Sequence, residues 1–298
     1  MPILSIILTV ATLAMGTARI QRLSLPGWVE SGMPRFFRTL AGSIVLVAAL
    51  AEPAAAAAGQ QPARPGSYFP AEAQQLLALA NQSRAAAGVG PLQWDPALAA
   101  AALEHCQRMA AAGPIAHQYS GELELTVRAR SAGAHFSLIE ENVAFGTYIA
   151  AIHQGWLKSP GHRANLLNPE VDAVGIAVVP GRGAFYVVAD YARAVPVLSR
   201  EQIEATVAKL ISPSGLFIVP NPADARAYCA TGSQPSSSRG FIRSAFLMVW
   251  EDSDISTLPR DLAGQVASGR YHSAVVGACT PKDAESGFTS YRIAAILF

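Results

Sequence analysis

The sequence predicts an α+β protein in which helices come first and an antiparallel pair of strands follows. Between residues 71 and 158, apolar side chains recur with the spacing of amphipathic helices. From residue 172 the period changes to two, and Pro180–Gly183 separates two β-runs as a hairpin turn does. Helices followed by a two-stranded ribbon are typical of layered α+β folds.

Helices are predicted before the hairpin in four segments that end at glycine or at a polar break. Asp95 is a natural N-cap for the second segment, because Pro96 follows it at the first helical position. Gly88, Gly113 and Gly133 are positioned to end the first three segments. The predicted helices are residues 71–88, 96–113, 122–131 and 148–158.

Residues 71–195 are therefore predicted to form one domain, and residues 196–298 a second, smaller α+β region. The second region begins with one predicted helix, "REQIEATVAKLISPSG". Pro- and Ser-rich pieces such as "TGSQPSSSRG" separate its short apolar runs, which indicates loops between strands. The predicted strands are "LFIVP", "GFIRSAFLMVWE", "RYHSAVVGACTP" and "SYRIAAILF".

The N-terminal residues 1–58 are predicted to be a targeting region. From Met33, Arg35 and Arg38 precede an apolar run of about a dozen residues, and small residues follow. This layout is typical of a secretory signal peptide at residues 33–58 and favours Met33 as the start. It predicts a secreted, periplasmic or cell-envelope protein that contacts membrane only through this segment. The alternative is one membrane anchor made from residues 2–15 and this segment together.

Residues 59–70, "GQQPARPGSYFP", are rich in Pro and Gly and are predicted to be a linker. The net charge of +1 and the lack of a long basic run disfavour nucleic acid as a partner. No CxxC pair is present, which excludes a cysteine zinc cluster. In an exported protein Cys229 and Cys279, which share the C-terminal region, are expected to form a disulfide, with Cys106 buried and free.

Three polar groups at the ends of predicted elements are the candidates for chemistry. His117 lies in the loop after the second helix, and Glu141 lies in "IEENVAFG". His162 follows the fourth helix, past a predicted break at Ser159–Gly161. Each also has a structural interpretation, since a lone loop histidine commonly fills a hydrogen-bonding gap and a glutamate can cap a helix.

Taken together, five pieces of the chain resemble the CAP superfamily, the SCP-like domain of cysteine-rich secretory and pathogenesis-related proteins, in its bacterial branch. The resemblance covers residues 71–193 and rests on the order and spacing of the pieces. It implies a three-layer α-β-α sandwich with a cleft between helices and sheet. The pieces are "LQWDPALAAAALEHCQRMA", "AHQ", "EENVAFG", "GWLKSPGHRANLLNP" and "VGIAVV…FYVVADYA".

The resemblance implies that His117, Glu141 and His162 meet in this cleft. Glu141 is chosen because it precedes Asn142, as in the Gly-Glu-Asn signature of the family, although Glu140 stands at the glycine position.

Many animal members carry a second cleft glutamate three residues after the helical tryptophan. In this chain that position, three residues after Trp156, is Ser159. The cleft therefore carries an incomplete set of four.

Two histidines and one glutamate predict weak, reversible binding of zinc or another divalent metal. His117 and His162 would be the ligands, and Glu141 would fill a third place or orient a metal-bound water. The first hypothesis is an exported, non-enzymatic module that binds a metal and a small lipid or protein partner. The second is a metal-assisted hydrolase, a peptidase with Glu141 as catalytic base. The third is a cell-envelope interaction protein that uses residues 196–298 for recognition.

Overall fold

The computed structural model describes residues 68–232, 246–282 and 287–298. The predicted targeting region and residues 59–67 of the linker lie outside these ranges. The chain divides into two compact units, residues 1–58 and 59–298, and all described residues belong to the second. No helix among the described residues is long and apolar enough to cross a membrane.

The first sheet has the strand order β1-β3-β4-β2. β1 runs parallel to β3, and the remaining pairs are antiparallel. The predicted hairpin is confirmed as β3 and β4, which are joined at Arg182–Gly183, where both residues have positive φ. The "IEENVAFG" segment lies in β2, so Glu141 belongs to a strand and does not begin a helix. The strands are β1 (Gln93–Trp94), β2 (Phe136–Gly146), β3 (Ala173–Gly181) and β4 (Ala184–Ala194).

The helices before the hairpin follow the predicted segments closely. Asp95 caps the second one as expected, because its Oδ1 accepts from the N–H groups of Ala97 and Leu98 at 2.8 and 2.9 Å. The fourth helix ends at Lys158, at the predicted break, but a new helix begins directly at Pro160 and places His162 in its first turn. The helices are α1 (Pro70–Ala86), α2 (Pro96–Ala112), α3 (Leu125–Ser131), α4 (Ile149–Lys158) and α5 (Pro160–Leu166).

Helices cover both faces of this sheet, which confirms the predicted sandwich. On one face α1 and α4 enclose a core that includes Leu76, Trp156 and Ile176. On the other face α2 packs Cys106 and Met109 against the strands. Cys106 is free and buried as predicted, and burial raises the pKa of its thiol to about 12.

Gly175 in β3 lies where α2 crosses the sheet. A Cβ at this position would overlap the backbone of Leu98 and Ala99. The strand and the helix therefore touch backbone to backbone, which fixes the height of α2 above the sheet.

The second region is also a sheet with helices, as predicted, in the strand order β5-β7-β8-β6. The sequence predicted α6 but not α7 or α8. Cys229 of α7 and Cys279 of β7 form a disulfide, in agreement with the expected pair. The elements are α6 (Arg200–Ile211), β5 (Phe217–Ile218), α7 (Ala223–Thr231), β6 (Phe246–Asp252), α8 (Arg260–Ala267), β7 (Ser273–Cys279) and β8 (Tyr291–Leu297).

We expect Gly175→Val to lower the free energy of unfolding by about 2–4 kcal/mol, because a side chain there must push α2 off the sheet. Denaturant unfolding followed by circular dichroism measures the change. Gly155→Ala in α4 is the control, since nothing lies within 4 Å of a Cβ there, and it should stabilise by roughly 0.5–1 kcal/mol. Equal midpoints for Gly175→Val and the parent would contradict the close crossing.

Candidate functional site

The centre of the site is the buried carboxylate of Glu141, whose two oxygens are both engaged. Oε1 accepts a hydrogen bond from Nδ1 of His117 at 2.8 Å. Oε2 accepts a short hydrogen bond from Nη2 of Arg128, a residue of α3. The side chains of Glu141 and Arg128 are 3% and 2% exposed. A carboxylate removed from water in this way is stabilised because a guanidinium and an imidazole N–H donate to its two oxygens.

His117 is the exposed member of this cluster, with 61% of its side chain accessible. Because the Glu141 carboxylate can only accept, Nδ1 of His117 donates, and Nε2 makes no hydrogen bond within the described residues. The hydrogen bond to Glu141 raises the pKa of His117, against the opposing effects of partial burial and of Arg128. The structure thus presents an imidazole in a fixed orientation with Nε2 on its free side.

His162 is attached to β2 through the side chain of Asn142. Its carbonyl oxygen accepts from Nδ2 of Asn142 at 2.9 Å. Asn165, one turn later in α5, donates to the Glu141 carbonyl oxygen at 3.1 Å and to Oδ1 of Asn142 at 3.0 Å. Burial lowers the pKa of His162, and the positive charge of His117 lowers it further. The two imidazoles therefore influence each other, although the His162 ring is not hydrogen-bonded to Glu141.

Ser159, the fourth predicted cleft residue, lies at the joint between α4 and α5. Its N–H donates to the carbonyl oxygens of Gly155 and Trp156, and its carbonyl oxygen accepts from Arg163 at 2.8 Å. Its side chain forms no cap hydrogen bond. Ser159 therefore shapes the turn that carries His162, and it is not brought onto Glu141.

Sequence reasoning missed Arg128, the strongest partner of Glu141. Arg130, two positions away, is exposed, and residues two apart lie on different sides of a helix. Assigning the buried face of the helix "LTVRARS" could have distinguished the two arginines, since Arg128 and Ala129 are its buried residues.

His105 of α2 was also missed as part of the site. Its Nε2 lies 3.9 Å from Oε2 of Glu141. Its two ring nitrogens also face Glu122 at 2.7 Å and the Ala116 carbonyl oxygen at 2.9 Å. These contacts tie the loop that carries His117 to α2.

Asp190 of β4 is a second buried acid beside Glu141, directly across the sheet ladder. It is fully buried, and it shares a side-chain hydrogen bond with Glu141, in which a protonated Asp190 donates. Burial raises the pKa of Asp190 well above its usual value, and the Glu141 charge raises it further, while Arg128 opposes both. The folded protein therefore favours the neutral, protonated form of Asp190.

The cluster does not supply a three-ligand metal site. The described residues contain no group of three or more His, Cys, Asp or Glu side chains placed to hold a metal ion. Glu141 is not available as a third ligand, because both of its oxygens are occupied and a guanidinium lies against one of them. Nε2 of His117 and the ring of His162 remain, and two imidazoles fit weak, reversible coordination.

We expect Arg128→Met to lower the free energy of unfolding by about 3–5 kcal/mol, because Glu141 loses its strongest cationic partner while staying buried. Arg130→Met, an exposed change of the same type in the same helix, should leave stability within about 0.5 kcal/mol of the parent. Adding Glu141→Gln to Arg128→Met should restore part of the loss. Denaturant titration measures all three, and equal effects of the two arginine changes would refute the buried pair.

We expect Asp190→Asn to change how stability depends on pH. The pKa of Asp190 is raised in the folded protein. Asp190 therefore contributes fully to the stability of the parent at any pH below the pKa that it has in the unfolded chain. The parent loses this contribution as pH rises toward the folded pKa, by about 1.4 kcal/mol per pH unit. Asparagine mimics the neutral acid, so the variant should gain stability over the parent as pH rises from about 4 to about 8. Thermal melts across this range test it, with exposed Asp261→Asn as control. An unchanged difference between variant and parent would contradict a raised pKa.

Comparison with known proteins assigns part of this chain to a known family. Residues 77–191 match the family model of the cysteine-rich secretory protein family, CAP. The Bacillus subtilis membrane protein YlbC is 32% identical over 107 residues, which are 35% of this chain and 31% of YlbC. YkwD of Bacillus subtilis is 29% identical over 110 residues, which are 36% of this chain and 42% of YkwD.

The match thus spans less than half the length of either relative. A solved extracellular protein with an SCP domain from Bacillus anthracis is 28% identical, with 45% of each chain covered and a TM-score of 0.40. The matched segment contains His117, Arg128, Glu141 and His162. Residues 77–191 of this chain therefore form a CAP domain of the bacterial type.

Proposed function

We propose that this is an exported CAP-domain binding protein in which His117 and His162 hold a divalent metal such as zinc weakly and reversibly. The observation that carries the proposal is the hydrogen bond from Nδ1 of His117 to Oε1 of Glu141, at 2.8 Å. Metal-binding histidines commonly donate the N–H of their second nitrogen to a carboxylate in this way. Glu141 is the orienting partner of a ligand and is not itself a ligand.

Each residue of the cluster has a distinct part in this proposal. Arg128 holds the Glu141 carboxylate in place, and Glu141 fixes the ring of His117. The half-buried His162 has a lowered pKa, which favours the neutral form that coordinates metal. A bound divalent ion would supply a positive centre for a carbonyl or anionic group. Protons compete with the metal for His117, whose pKa is raised.

The metal-assisted peptidase is less well supported by this arrangement. A general base needs a carboxylate oxygen free to take a proton, and both Glu141 oxygens already accept hydrogen bonds, from His117 and from Arg128. We therefore place binding ahead of hydrolysis.

Export and an apolar ligand are supported by separate features. A disulfide such as Cys229–Cys279 persists in oxidising compartments outside the cytosol, which agrees with the signal-like segment at residues 33–58. Exposed apolar side chains at Ile115, Leu123 and Val127 lie on the chain segment that also carries His117 and Arg128. Exposed apolar side chains of this kind suit contact with a small lipid or a protein partner, and we include such a ligand in the proposal.

Calorimetric titration with Zn²⁺ at neutral pH tests the metal site. We expect weak binding that falls at least roughly tenfold in His117→Ala and in His162→Ala, because each removes one of two imidazoles. His272→Ala is the control, since this histidine is exposed and lies in the second region. Binding should also weaken as pH falls through the raised pKa of His117. Equal affinity in parent and His117→Ala would refute the site, and peptide hydrolysis lost in Glu141→Gln would favour the peptidase.

A further inference from the structure

The second region repeats the architecture of the CAP domain. The orders β1-β3-β4-β2 and β5-β7-β8-β6 are the same when strands are counted along the chain. In each sheet a two-residue first strand runs parallel to the third, and the other pairs are antiparallel. A helix also precedes and follows each of these two-residue strands.

The helices occupy the same layers in the two halves. α6 and α8 pack on one face of the second sheet, with Ile203, Val207 and Leu262 in the shared core, as α1 and α4 do in the first. α7 covers the opposite face through Ala225, as α2 does in the CAP domain.

A glycine marks the same helix crossing in both sheets. A Cβ on Gly277 of β7 would overlap the backbone of Ala225 and Arg226 in α7. Gly175 of β3 meets α2 in the same way. Both glycines belong to the third strand of their sheet, counted along the chain. Each faces the third and fourth residues of the crossing helix, so the two regions match at the level of single residues.

The start of that helix is also repeated. Asp95-Pro96-Ala97 begins α2 with Asp95 as the N-cap, and Asn221-Pro222-Ala223 leads into α7 one residue earlier, with Pro222 at the N-cap position. In each, the first side chain accepts from the N–H of the alanine two residues later, at 2.8 and 3.1 Å.

The matching glycines show which residues of the second sheet correspond to Asp190 and Glu141 of the first. Gly175 pairs with Asp190, which pairs with Glu141. In the second sheet Gly277 pairs with Ala294, which pairs with Val249. Two apolar residues thus stand where the CAP domain has its two buried acids. The sequence of residues 233–245, between α7 and β6, contains no histidine and no carboxylate.

We infer that residues 199–298 are a second copy of the sandwich that has lost the polar cluster and serves the CAP domain as a brace for α3. The brace is the segment Gly287–Thr289, just before β8. The described residues of this copy have no equivalent of the two paired acids, and its contribution lies where it touches the first copy.

The brace contacts both α3 and the start of β2. Gly287, with φ +91°, lies against Thr126 of α3, where a Cβ would stand 3.1 Å from the Thr126 Cβ. The ring of Phe288 packs edge-on against Phe136, with 5.7 Å between centroids. The N–H of Thr289 donates to the Phe136 carbonyl oxygen at 2.7 Å.

These contacts matter because α3 is only seven residues long. A helix of this length is not stable without packing partners. It carries Arg128, whose guanidinium must stay against Glu141, so whatever fixes α3 positions the centre of the site. Arg128 is therefore placed by both copies of the fold.

Phe288→Ala tests the brace in the full protein. We expect amide protection in α3 to fall by roughly tenfold or more in hydrogen exchange, because the ring of Phe288 supports Phe136, which shares a core cluster with Ala129 of α3. The guanidinium N–H signals of Arg128 in NMR spectra should broaden as its ion pair loosens, which loss of packing elsewhere would not cause. Phe217→Ala is the matched control, an exposed phenylalanine of the second region in β5.

Phe288→Leu should give a smaller change in the same direction, since it keeps most of the apolar contact. Unchanged α3 protection and unchanged Arg128 signals in Phe288→Ala would overturn the brace.

The copy itself is tested by Gly277→Val, which should weaken amide protection in α7 and β7 by roughly tenfold or more. Gly264→Ala is the control, since nothing lies within 4 Å of a Cβ there. Full protection of α7 in Gly277→Val would show that the helix does not cross at this glycine, and the match between the copies would fail.

Discussion

The site depends on one buried interaction, the carboxylate of Glu141 held between the guanidinium of Arg128 and the imidazole of His117. An isolated carboxylate at this depth would be strongly disfavoured, and the neighbouring Asp190 shows the result, since burial and the Glu141 charge favour its neutral form. Glu141 differs because α3 brings the guanidinium of Arg128, a permanent cation, against it. Because Arg128 binds Oε2, His117 donates to Oε1, and this hydrogen bond fixes the orientation of its ring.

This constraint connects the fold to the proposed function. β2 holds Glu141, α3 delivers Arg128, and the loop after α2 delivers His117. Asn142 and Asn165 attach α5 to the same stretch of β2, so His162 comes to the edge of the cluster. The second region contributes through its contact with α3, which explains how a third of the chain without the paired acids can still affect the site.

The sequence was most informative where local chemistry decides local structure. Asp95 before Pro96 predicted the start of α2, and the change of period predicted the hairpin. Pro160 misled the interpretation of the next element, because proline was taken as a stop although it is also favoured at the first position of a helix. His117, Glu141 and His162 came from a family resemblance, since nothing in their spacing alone shows that they are close.

Other features could not be predicted because they arise only in three dimensions. Arg128 and Arg130 have the same chemistry, and only the phase of a short helix separates buried from exposed. Asp190 meets Glu141 through strand pairing between segments about fifty residues apart. The repeat of the fold escapes notice because the halves share little more than an Asx-Pro-Ala start and one glycine at a helix crossing.

The most direct test of the account is the protonation state of the His117 ring, measured by long-range ¹H–¹⁵N NMR above its pKa. If Glu141 orients this histidine, the proton resides on Nδ1 and Nε2 is unprotonated and free to coordinate. A proton found on Nε2 would mean that Nδ1 does not donate to Glu141, and it would contradict the central interaction on which the proposed function rests.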